Sequence, residues 1–563
     1  MTRVSEHTDV LVIGAGVNGA AVAREAAMRG LNTLLIDKTD IASGTSSASS
    51  RLVHGGPRYL EHGEFRLVRE SLHERELLLW TAAHLVKPYQ LLIPFYTHNR
   101  RRPWTLETGM LLYDALSRGK STPRHRRLSR REAIAAYPGI EHRGLTGGIV
   151  YVDAYACFAE RLAVEQALDV RAAGSSVLTH TAATELCPGA SLIEVALRDE
   201  LTGNTTTVRA RSVVNASGPW VDSVLGSVQG WRGHRLIRAV KGSHLVLATY
   251  PDAPSTGIHF EAMTDGRPVL VLPQSDGTIL VGSTELVDEA DPGALSCSDA
   301  EIAYLLTEAN RLLPSAHFTQ GDVLHAFAGA RPLPYAASAE RPADISRDHH
   351  VVSHPTVPGL FSLTGGKLTT HRALGEMAIN RVVDHLALQP RRRSRPQGPR
   401  RHAALRRASC SPTRTMPLPG ARVADWHAFA AQCEQVSTMP AAVRDRLLAV
   451  YGVRALSVYD AMRDRPGLPA LIRATNDVTT AEVWVAVKEE FARTLVDVVA
   501  RRLMLARTAD AGLGAATAVA AVCAELLGWD ARQTEQELVA YRSWSARLRP
   551  NCQSASDVSH NHH

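Results

Sequence analysis

The N-terminal region alternates short apolar segments with polar turns, a pattern typical of a parallel α/β unit. Asp9–Ile13 is apolar and rich in β-branched residues, which predicts a buried parallel strand. The amphipathic segment Ala20–Arg29 predicts a helix, and Gly30 follows it as a C-terminal cap. Leu31–Asp37 is again apolar and predicts a second strand. Together these segments predict a β-α-β unit.

The turn between the first strand and the helix carries a G-x-G-x-x-G motif. Gly14 permits a tight turn, Gly16 lets the backbone approach a pyrophosphate, and Gly19 lets the helix pack closely on the strand. Asp37, at the end of the second strand, is placed to accept hydrogen bonds from a ribose without a 2′-phosphate. In this position the motif predicts a dinucleotide site on a Rossmann-type α/β domain. The motif alone does not distinguish NAD from FAD.

Two later segments favour FAD. Arg209–Trp220 predicts a strand that ends in a Gly-Pro break, and Pro358–Asn380 predicts a strand, a glycine pair and a helix. The N-terminus of that helix is able to face an anionic cofactor. A nucleotide fold that returns to its cofactor only near residue 365 is interrupted by a long insertion. This arrangement is typical of a flavoprotein whose substrate domain is inserted into its FAD domain.

The insertion and the C-terminal region differ in pattern. Val240–Tyr250, Arg267–Ser275 and Thr278–Leu286 are short β-rich runs that predict an antiparallel sheet. The pattern from Pro440 to Tyr541 is helical. The predicted organisation is an FAD-binding domain (1–388) with a substrate part at roughly 86–150 and 231–325, an arginine-rich linker (389–412), an all-α domain (413–545) and a disordered tail (546–563).

The positive charge is concentrated in one segment. The formal net charge is +7, and the eight arginines between Arg391 and Arg407, a stretch without an acid, account for it. Two prolines and a glycine in this stretch predict an exposed linker. Attraction to anionic lipid is the alternative to a plain spacer. No aromatic residue interleaves with the arginines, which argues against nucleic acid as a partner.

The compartment is predicted from cysteines and apolar runs. The seven cysteines form no C-x-x-C pair, which argues against a disulfide framework and a metal site and favours a reducing compartment. The N-terminus lacks the apolar core of a signal peptide, and the longest apolar run, Ala511–Ala524, is shorter than the roughly 20 residues of a membrane helix. We expect a cytoplasmic protein that meets the inner face of the cell membrane only peripherally.

Several segments, taken in order, resemble the FAD-dependent, membrane-associated glycerol-3-phosphate dehydrogenases. The resemblance covers almost the whole chain apart from the arginine-rich linker and the tail. It implies oxidation of sn-glycerol 3-phosphate to dihydroxyacetone phosphate, with hydride transfer to flavin N5 and electrons passed to a membrane quinone or, in an oxidase, to oxygen. The segments are IGAGVNGAAVAREAAMRGL, SGTSSASSRLVHGGPRYLEHGEF, VNASGPWVD, KGSHLVL, GARPLP with ISRDH, GGKLTTHR, TMPLPG and EEFARTLVDVVARRLML.

The chain also departs from the family pattern. His371 replaces a tyrosine, Pro57 replaces a leucine, and Ser283–Glu285 stands where the family has Thr-Thr-Asp. The family's acidic run has no clear counterpart in Tyr151–Leu162. These departures leave open another polyol phosphate, such as a tetritol phosphate, as the substrate. An FAD-dependent amine or amino-acid oxidase and a non-enzymatic flavin-binding scaffold are further alternatives.

The resemblance implies a set of site residues. Arginine suits a phosphate ester because its fork matches phosphate geometry, and histidine suits removal of a hydroxyl proton. The implied catalytic residues are His54 or His244 as the base, with Arg331. The implied substrate ligands are Arg58, Tyr59, Arg331, Lys367 and Thr370. The implied FAD ligands are Gly14, Gly16, Asn18, Gly19, Asp37, Lys38, Ser43, Thr45, Ser46, Ser47, Gly218, Gly365, Gly366, Lys367, Leu368 and Thr369. The implied partners are a polyol phosphate and a quinone, and a homodimer is left open.

Overall fold

The computed structural model describes residues 5–288, 290–336, 345, 347–388, 411–436, 440–465, 471–472 and 477–550. The strands are β1 (His7–Ile13), β2 (Thr33–Ile36), β3 (Leu52–Val53), β4 (Val86–Tyr96), β5 (Arg126–Ser129), β6 (Leu145–Ala156), β7 (Ser176–Leu178), β8 (Thr181–Pro188), β9 (Ile193–Asp199), β10 (Thr205–Asn215), β11 (Ile237–Ala248), β12 (Gly257–Glu261), β13 (Pro268–Pro273), β14 (Thr278–Gly282), β15 (Leu286–Val287), β16 (Val323–Pro334), β17 (His350–Ser353) and β18 (Leu360–Thr364).

The α-helices are α1 (Val17–Met28), α2 (Phe65–Thr81), α3 (Pro103–Leu116), α4 (Arg130–Ala136), α5 (Ala159–Ala172), α6 (Val221–Gly226), α7 (Asp299–Leu312), α8 (His371–Leu388), α9 (Trp426–Val436), α10 (Ala441–Tyr451), α11 (Ala455–Asp464), α12 (Thr480–Lys488), α13 (Leu513–Leu527) and α14 (Ala531–Ala546). Short 3₁₀ segments include Thr45–Ser47, Pro57–His62 and Leu505–Arg507, and Asp497–Arg502 is a π-helical segment.

The first sheet is the predicted Rossmann-type sheet. Its order is β17-β18-β10-β1-β2-β7, and β1, β2, β7, β10 and β18 are parallel to one another. Helices α1, α5 and α8 pack on one face through small side chains. At Gly375 of α8, a Cβ atom would lie only 2.9 Å from the backbone of Ala21 in α1. The carboxyl ends of β1, β2 and β10 meet at one edge, as parallel strands of a nucleotide-binding sheet do.

The second sheet is the inserted, largely antiparallel sheet that the sequence predicts. It contains β3–β6 and β11–β16, and β12 is parallel to β4. Its strands run further than the predicted substrate segments, since β6 ends at Ala156 and β16 at Pro334. The N–H of Gly365, after β18 of the first sheet, donates to the carbonyl of Pro332 at 2.7 Å. This hydrogen bond joins the two sheets at the edge that carries the glycine motif.

The C-terminal region is helical, as predicted, but its central helix is interrupted. Helix α12 ends at Lys488, and regular structure resumes with the π-helical segment. Between them Glu490 is buried and accepts hydrogen bonds from Arg161 of α5 at 2.5 and 2.6 Å, and from Arg454 at 2.6 Å. Phe491, three residues after the end of α12, has a φ of +64°, a left-handed conformation that an α-helix does not contain. The helical periodicity did not reveal that one glutamate has to turn inward to neutralise a buried arginine.

More buried ion pairs join the C-terminal helices to the first domain. Asp40, which follows β2, accepts hydrogen bonds from Arg501 at 2.6 Å and from Arg502 at 2.7 and 2.8 Å. Asp497 binds Arg501 at 2.8 Å and His180 at 2.8 Å. Because all these carboxylates are buried, each one needs its partners to offset the cost of leaving water.

The structure at the two ends of the helical region can be compared with the predicted linker (389–412) and the predicted tail (546–563). Most of the predicted arginine-rich linker lies outside the described residues, and its last part is ordered because Ser411 donates to Glu25 at 3.2 Å. Helix α14 ends at Ala546, and the next residues pack on the second sheet, where the Leu548 carbonyl accepts a hydrogen bond from the N–H of Ala326 at 2.7 Å. The prediction of disorder from residue 546 is therefore wrong for residues 546–550. Within the described ranges, every helix is too short or too polar to span a bilayer.

We expect the substitution Arg502→Met to lower the free energy of unfolding by about 3 kcal/mol, because it removes two of the three hydrogen bonds that Asp40 accepts from arginine and leaves a buried carboxylate underpaired. Urea denaturation followed by circular dichroism measures the change. The matched control is Arg463→Met, since the Arg463 side chain is 70% exposed and pairs with Asp460 at the surface. Equal stability of both variants would contradict the role given to the buried pair.

Candidate active site

A cavity of about 1120 Å³ lies between the two sheets and reaches the C-terminal helices. Its wall is built from the glycine motif after β1, the end of β2, the serine-rich segment (Ser43–Ser50) and the 3₁₀ turn Pro57–His62. β16, the turn before α8 and the segment around the π-helix complete the wall. The cavity therefore collects segments that are far apart in the chain at the carboxyl edge of the first sheet.

The glycine motif forms a rigid cradle. Gly14 has a φ of +104°, and a Cβ atom there would lie 2.7 Å from the carbonyl oxygen of Ala216. A Cβ atom on Gly19 would lie 1.8 Å from the carbonyl oxygen of Gly14, so this glycine serves packing and does not line the cavity. The N–H of Ala15 donates to Asp37 at 2.7 Å, which fixes the turn. Removal from bulk water raises the pKa of Asp37, and hydrogen bonds from Thr39 and Ala15 oppose that rise.

The serine-rich segment lies against this cradle. Ser46 Oγ accepts the N–H of Val17 at 2.9 Å, and it is the nearest atom, at 3.2 Å, to a Cβ built on Gly16. Thr45 Oγ1 donates to the carbonyl of Ala330 in β16 at 2.6 Å. The segment thus bridges the two sheets and presents hydroxyl groups beside the N-terminus of α1. Hydroxyl donors and a helix N-terminus fit the diphosphate of a dinucleotide.

The turn before α8 forms another part of the wall. Gly366 has a φ of +93°, which a non-glycine residue rarely adopts, and Lys367, Leu368 and Thr369 follow it along the cavity. Thr369 Oγ1 accepts the N–H of His54 at 3.0 Å and donates to its carbonyl at 3.2 Å. These two bonds hold the turn against the segment that contains His54.

His371, one of the departures from the family pattern, has a local structural role. Its Nδ1 lies 2.7 Å from the carbonyl oxygen of Leu368 and its ring is buried. Burial lowers the pKa of His371 to about 4, although the hydrogen bond with Leu368 opposes the shift. The ring therefore fixes the turn before α8 and does not line the cavity.

Four cations and one carboxylate form a cluster in the cavity wall. Glu285 contacts Arg347 and lies 3.8 Å from Arg58 and 3.8 Å from Arg331. Burial would raise the pKa of Glu285, but Arg347, Arg331 and Arg58 together lower it. Lys367 Nζ lies 3.7 Å from the centre of the Tyr59 ring. Three guanidinium groups thus share Glu285, and Glu64 adds a second negative charge near Lys367 and Arg347. Two carboxylates do not balance four cations, so the cluster is suited to an anionic ligand.

The buried cations shift their own pKa values and that of the neighbouring phenol. Burial, followed by the charge of Arg347, lowers the pKa of Arg331 to about 10. Burial also lowers the pKa of Lys367. For Tyr59, burial alone would raise the pKa, but Lys367 and Arg347 outweigh it and the pKa is lowered. The lowered pKa of Tyr59 therefore reflects the positive charge around it, whereas burial is the main cause for Arg331 and Lys367.

Of the two candidate bases, the structure brings only His54 into the cavity wall. Burial, and then the charges of Lys367 and Arg347, lower the pKa of His54 to about 3, so its ring is neutral and able to accept a proton. His244 lies behind the wall on β11 and stacks on Phe327, with ring centres 5.1 Å apart. Neither ring nitrogen of His244 has a hydrogen-bond partner among the described residues.

The remaining predicted site residues also fall into two groups, those in the cavity wall and those behind it. Asn18 lines the cavity, and its buried Oδ1 has no partner among the described residues, which leaves it for a ligand. The amide of Gly365 is used by Pro332, and Thr370 is fully buried behind the wall. The predicted residues outside the wall are Gly19, His244, Gly365 and Thr370. Those in the wall are Gly14, Gly16, Asn18, Asp37, Lys38, Ser43, Thr45, Ser46, Ser47, His54, Arg58, Tyr59, Gly218, Arg331, Gly366, Lys367, Leu368 and Thr369.

Arg347, His259 and Arg507 are among the wall residues that were not selected from the sequence. Arg347 lies in an irregular segment, where no periodicity marks it, although the ISRDH motif contains it. His259 also lines the cavity, and burial lowers its pKa to about 4. Arg507 comes from the C-terminal region and reaches the carbonyl of Ser47. The spacing of the arginines in that region gives no signal that separates Arg507 from the others.

Two protein-family models match this chain, one in its N-terminal region and one in its C-terminal region. The model described as "FAD dependent oxidoreductase" matches residues 9–381. The model described as "C-terminal domain of alpha-glycerophosphate oxidase" matches residues 411–534. The first match covers well over half of the chain and contains the glycine motif, the serine-rich segment and the turn before α8. FAD is therefore the cofactor, and the cradle, the hydroxyl groups and Asn18 fit it.

Similar proteins support the same assignment. Glycerol-3-phosphate dehydrogenase of Synechocystis sp. is 38% identical, over 97% of this chain and 97% of its own. D-erythritol 1-phosphate dehydrogenase of Brucella abortus is 34% identical, over 88% of this chain and 94% of its own. The solved structure of glycerol-3-phosphate dehydrogenase from Bacillus halodurans, complexed with FAD, has a TM-score of 0.76 and 24% identity, covering 97% of this chain and 96% of that one. The last comparison shows the fold.

We expect Gly16→Val to weaken FAD binding about tenfold or more, because a branched side chain blocks approach of the diphosphate to the backbone. A Cβ atom on Gly16 meets only Ser46 Oγ, so the variant is expected to fold. Titration of the FAD-free protein, followed by flavin fluorescence, measures the dissociation constant. Gly109→Val is the matched control, since a Cβ atom there meets nothing within 4 Å. Equal affinity in the two variants would contradict the assignment.

Proposed function

The chain belongs to the FAD-dependent glycerol-3-phosphate dehydrogenase family, and on that premise we propose that it oxidises sn-glycerol 3-phosphate to dihydroxyacetone phosphate. The observation that carries the proposal is the cation cluster beside the FAD site. A phosphate ester brings two negative charges, and Arg58, Arg331 and Lys367 supply donors for them. Arg347, which Glu285 contacts, adds a further positive charge at the same place.

Arg331 is well placed to bind the phosphate. Its Nη2 donates to Ser283 Oγ at 2.6 Å, which fixes the guanidinium plane, while its buried Nη1 has no hydrogen-bond partner among the described residues. Arg58 is at 3.8 Å from Glu285, beyond ordinary hydrogen-bond length, so its donors are not used by that carboxylate. Charge-assisted bonds from two arginines to one phosphate give both affinity and orientation.

The chemistry needs a hydride acceptor and a proton acceptor. FAD, when bound, supplies the two-electron acceptor for the hydride that leaves C2 of the substrate. We propose that His54 takes the hydroxyl proton, since its ring is neutral, lies in the wall near Lys367, and belongs to the segment that Thr369 holds against the turn before α8. A phosphate dianion between Lys367 and Arg347 offsets the charges that lower the pKa of His54, and so makes the ring a better base. His244, which the structure keeps behind the wall, is not assigned this role.

A tetritol phosphate is the second candidate substrate. The relative from Brucella abortus is named for D-erythritol 1-phosphate, and it matches this chain over most of its length. The departure at Glu285 lies directly in the cation cluster, where the length of the acidic side chain affects the room left for a substrate. Oxygen is the alternative to quinone as the electron acceptor. The homodimer remains a prediction.

We further propose that electrons pass to a quinone at a membrane surface, with α3 as the docking helix. Trp104 and Leu111, 65% and 60% exposed, lie two turns apart on one side of α3, and Leu112 beside them is 37% exposed. Exposed Arg100, Arg102 and Arg118 flank the helix. An apolar helical face with an aromatic residue and basic flanks is suited to the interface of an anionic bilayer. The arginine-rich segment at 391–407 lies outside the described residues.

We expect anaerobic sn-glycerol 3-phosphate to bleach the absorbance of the bound FAD, and glycerol at the same concentration to bleach it far more slowly. Arg58→Ala should lower kcat/KM for the phosphate ester by about one to two orders of magnitude, because a charge-assisted contact of roughly 1.5–3 kcal/mol is lost. Arg58→Lys should recover part of the activity, since an ammonium group lacks the fork.

Arg126→Ala is the control for this experiment, because its side chain is 65% exposed on β5. Equal losses with glycerol and its phosphate in Arg58→Ala would mean that Arg58 supports the loop and does not bind phosphate. Faster bleaching by a tetritol phosphate would favour the second substrate. If no polyol phosphate bleaches the flavin, the proposed function is wrong.

The double substitution Trp104→Ser and Leu111→Ser should weaken binding to vesicles of anionic phospholipid by roughly tenfold or more, since two large apolar side chains no longer enter the bilayer interface. Co-sedimentation measures the bound fraction. The control is the double substitution Leu456→Ser and Val539→Ser, at side chains that are each 50% exposed elsewhere in the C-terminal region. Unchanged sedimentation of the α3 variant would move the membrane contact to another part of the chain.

A further inference from the structure

Arg507 is a partly buried cation that reaches the FAD cavity from the C-terminal domain. It belongs to the 3₁₀ segment Leu505–Arg507, which follows the π-helix. Its guanidinium donates to the carbonyl of Ser47 and lies 4.2 Å from the centre of the Phe327 ring. Both of these neighbours line the cavity, as Arg507 itself does. A residue of the helical domain is thus inserted between the serine-rich segment and β16 of the second sheet.

The charge of Arg507 is not balanced locally. Within the described ranges, no carboxylate lies within the 4.0 Å of an ion pair from its guanidinium. The nearby acid Glu160 is already bound by Arg51 at 2.7 Å. Burial, followed by the charge of Arg51, lowers the pKa of Arg507 to about 9. A desolvated arginine facing a cavity without a carboxylate partner is costly for the protein unless a ligand supplies the anion.

The position of Arg507 relates it to the cofactor. Ser47, whose carbonyl it contacts, directly follows Ser46, and Ser46 lies against Gly16 at the N-terminus of α1. The glycine motif and these hydroxyl groups form the cradle that fits a diphosphate. Arg507 therefore lies next to the part of the wall that binds the charged section of FAD, although it is separated from Gly16 by almost the whole length of the chain.

We propose that Arg507 binds an anionic group of FAD, so that the C-terminal helical domain completes the cofactor site. FAD offers two such groups, the diphosphate and the anionic reduced flavin ring, and an arginine binds either one by the same charge-assisted hydrogen bonds. The diphosphate is present in both redox states, so its loss affects FAD retention. A cation beside the ring favours the reduced flavin, so its loss lowers the reduction potential.

The test compares Arg507→Gln and Arg507→Lys in the purified holoenzyme. Glutamine keeps a donor for the Ser47 carbonyl and removes the charge, while lysine keeps the charge. Release of FAD after dilution is followed by flavin fluorescence, and the midpoint potential of the bound flavin by a dye-coupled titration. We expect Arg507→Gln to release FAD about tenfold faster or more if the diphosphate is the ligand. We expect a lower midpoint potential with unchanged release if the reduced ring is the ligand.

Arg507→Lys should stay close to the unsubstituted enzyme in both measurements, because the charge is retained. Arg549→Gln is the control, since Arg549 is exposed in the same domain. Wild-type release and potential in Arg507→Gln would overturn the proposal. Equal impairment of the glutamine and lysine variants would also overturn it, because the side chain would then act through its shape. Neither readout uses a substrate, so failure here is separate from failure of the proposed function.

Discussion

Charged side chains that have no access to water must be paired, and this constraint fixes the position of the helical domain. Glu490 can be buried only against Arg161 and Arg454, and Asp40 only against Arg501 and Arg502. Each pair joins the helical domain to the first domain or braces that junction, and the Arg161–Glu490 and Arg502–Asp40 pairs have no solvent-exposed side-chain surface. A shift of the helical domain would leave several charges unpaired at once. The cavity wall that includes Arg507 depends on the same arrangement.

The parts of the fold that were predictable are those that the chain encodes locally. Short stretches of periodic or turn-forming residues predict the β-α-β unit with its glycine motif and the β-rich runs such as Thr278–Leu286. The break after Lys488 was not predictable, because its cause is a buried arginine more than 300 residues away. The ordered residues after Ala546 were missed for the same reason, since only the three-dimensional fold places Leu548 beside Ala326.

The same distinction applies to the candidate site. Gly14, Ser46 and Lys367 lie in contiguous motifs, and the structure brings them to one cavity. Arg347 lies in an irregular segment and Arg507 in a short 3₁₀ segment, and no sequence pattern there separates a ligand from a surface cation. His244 also lies in a motif, but the pleat of β11 turns its ring onto Phe327 and away from the cavity wall. The alternation of side chains along a strand decides this, and a shift of one residue reverses it.

The excess of positive charge around the cavity also bears on how a ligand arrives. Arg58, Arg331 and Arg347 share one carboxylate, Glu285, and Lys367 adds a fourth positive charge to a cavity with low-dielectric walls. Such a cavity concentrates the electrostatic field at its mouth and raises the local concentration of anions. Encounter of a doubly charged ester is accelerated by this field, and added salt shortens the distance over which the field acts. Uncharged glycerol gains nothing from it, so the protein discriminates between the two molecules already during their diffusion towards the site.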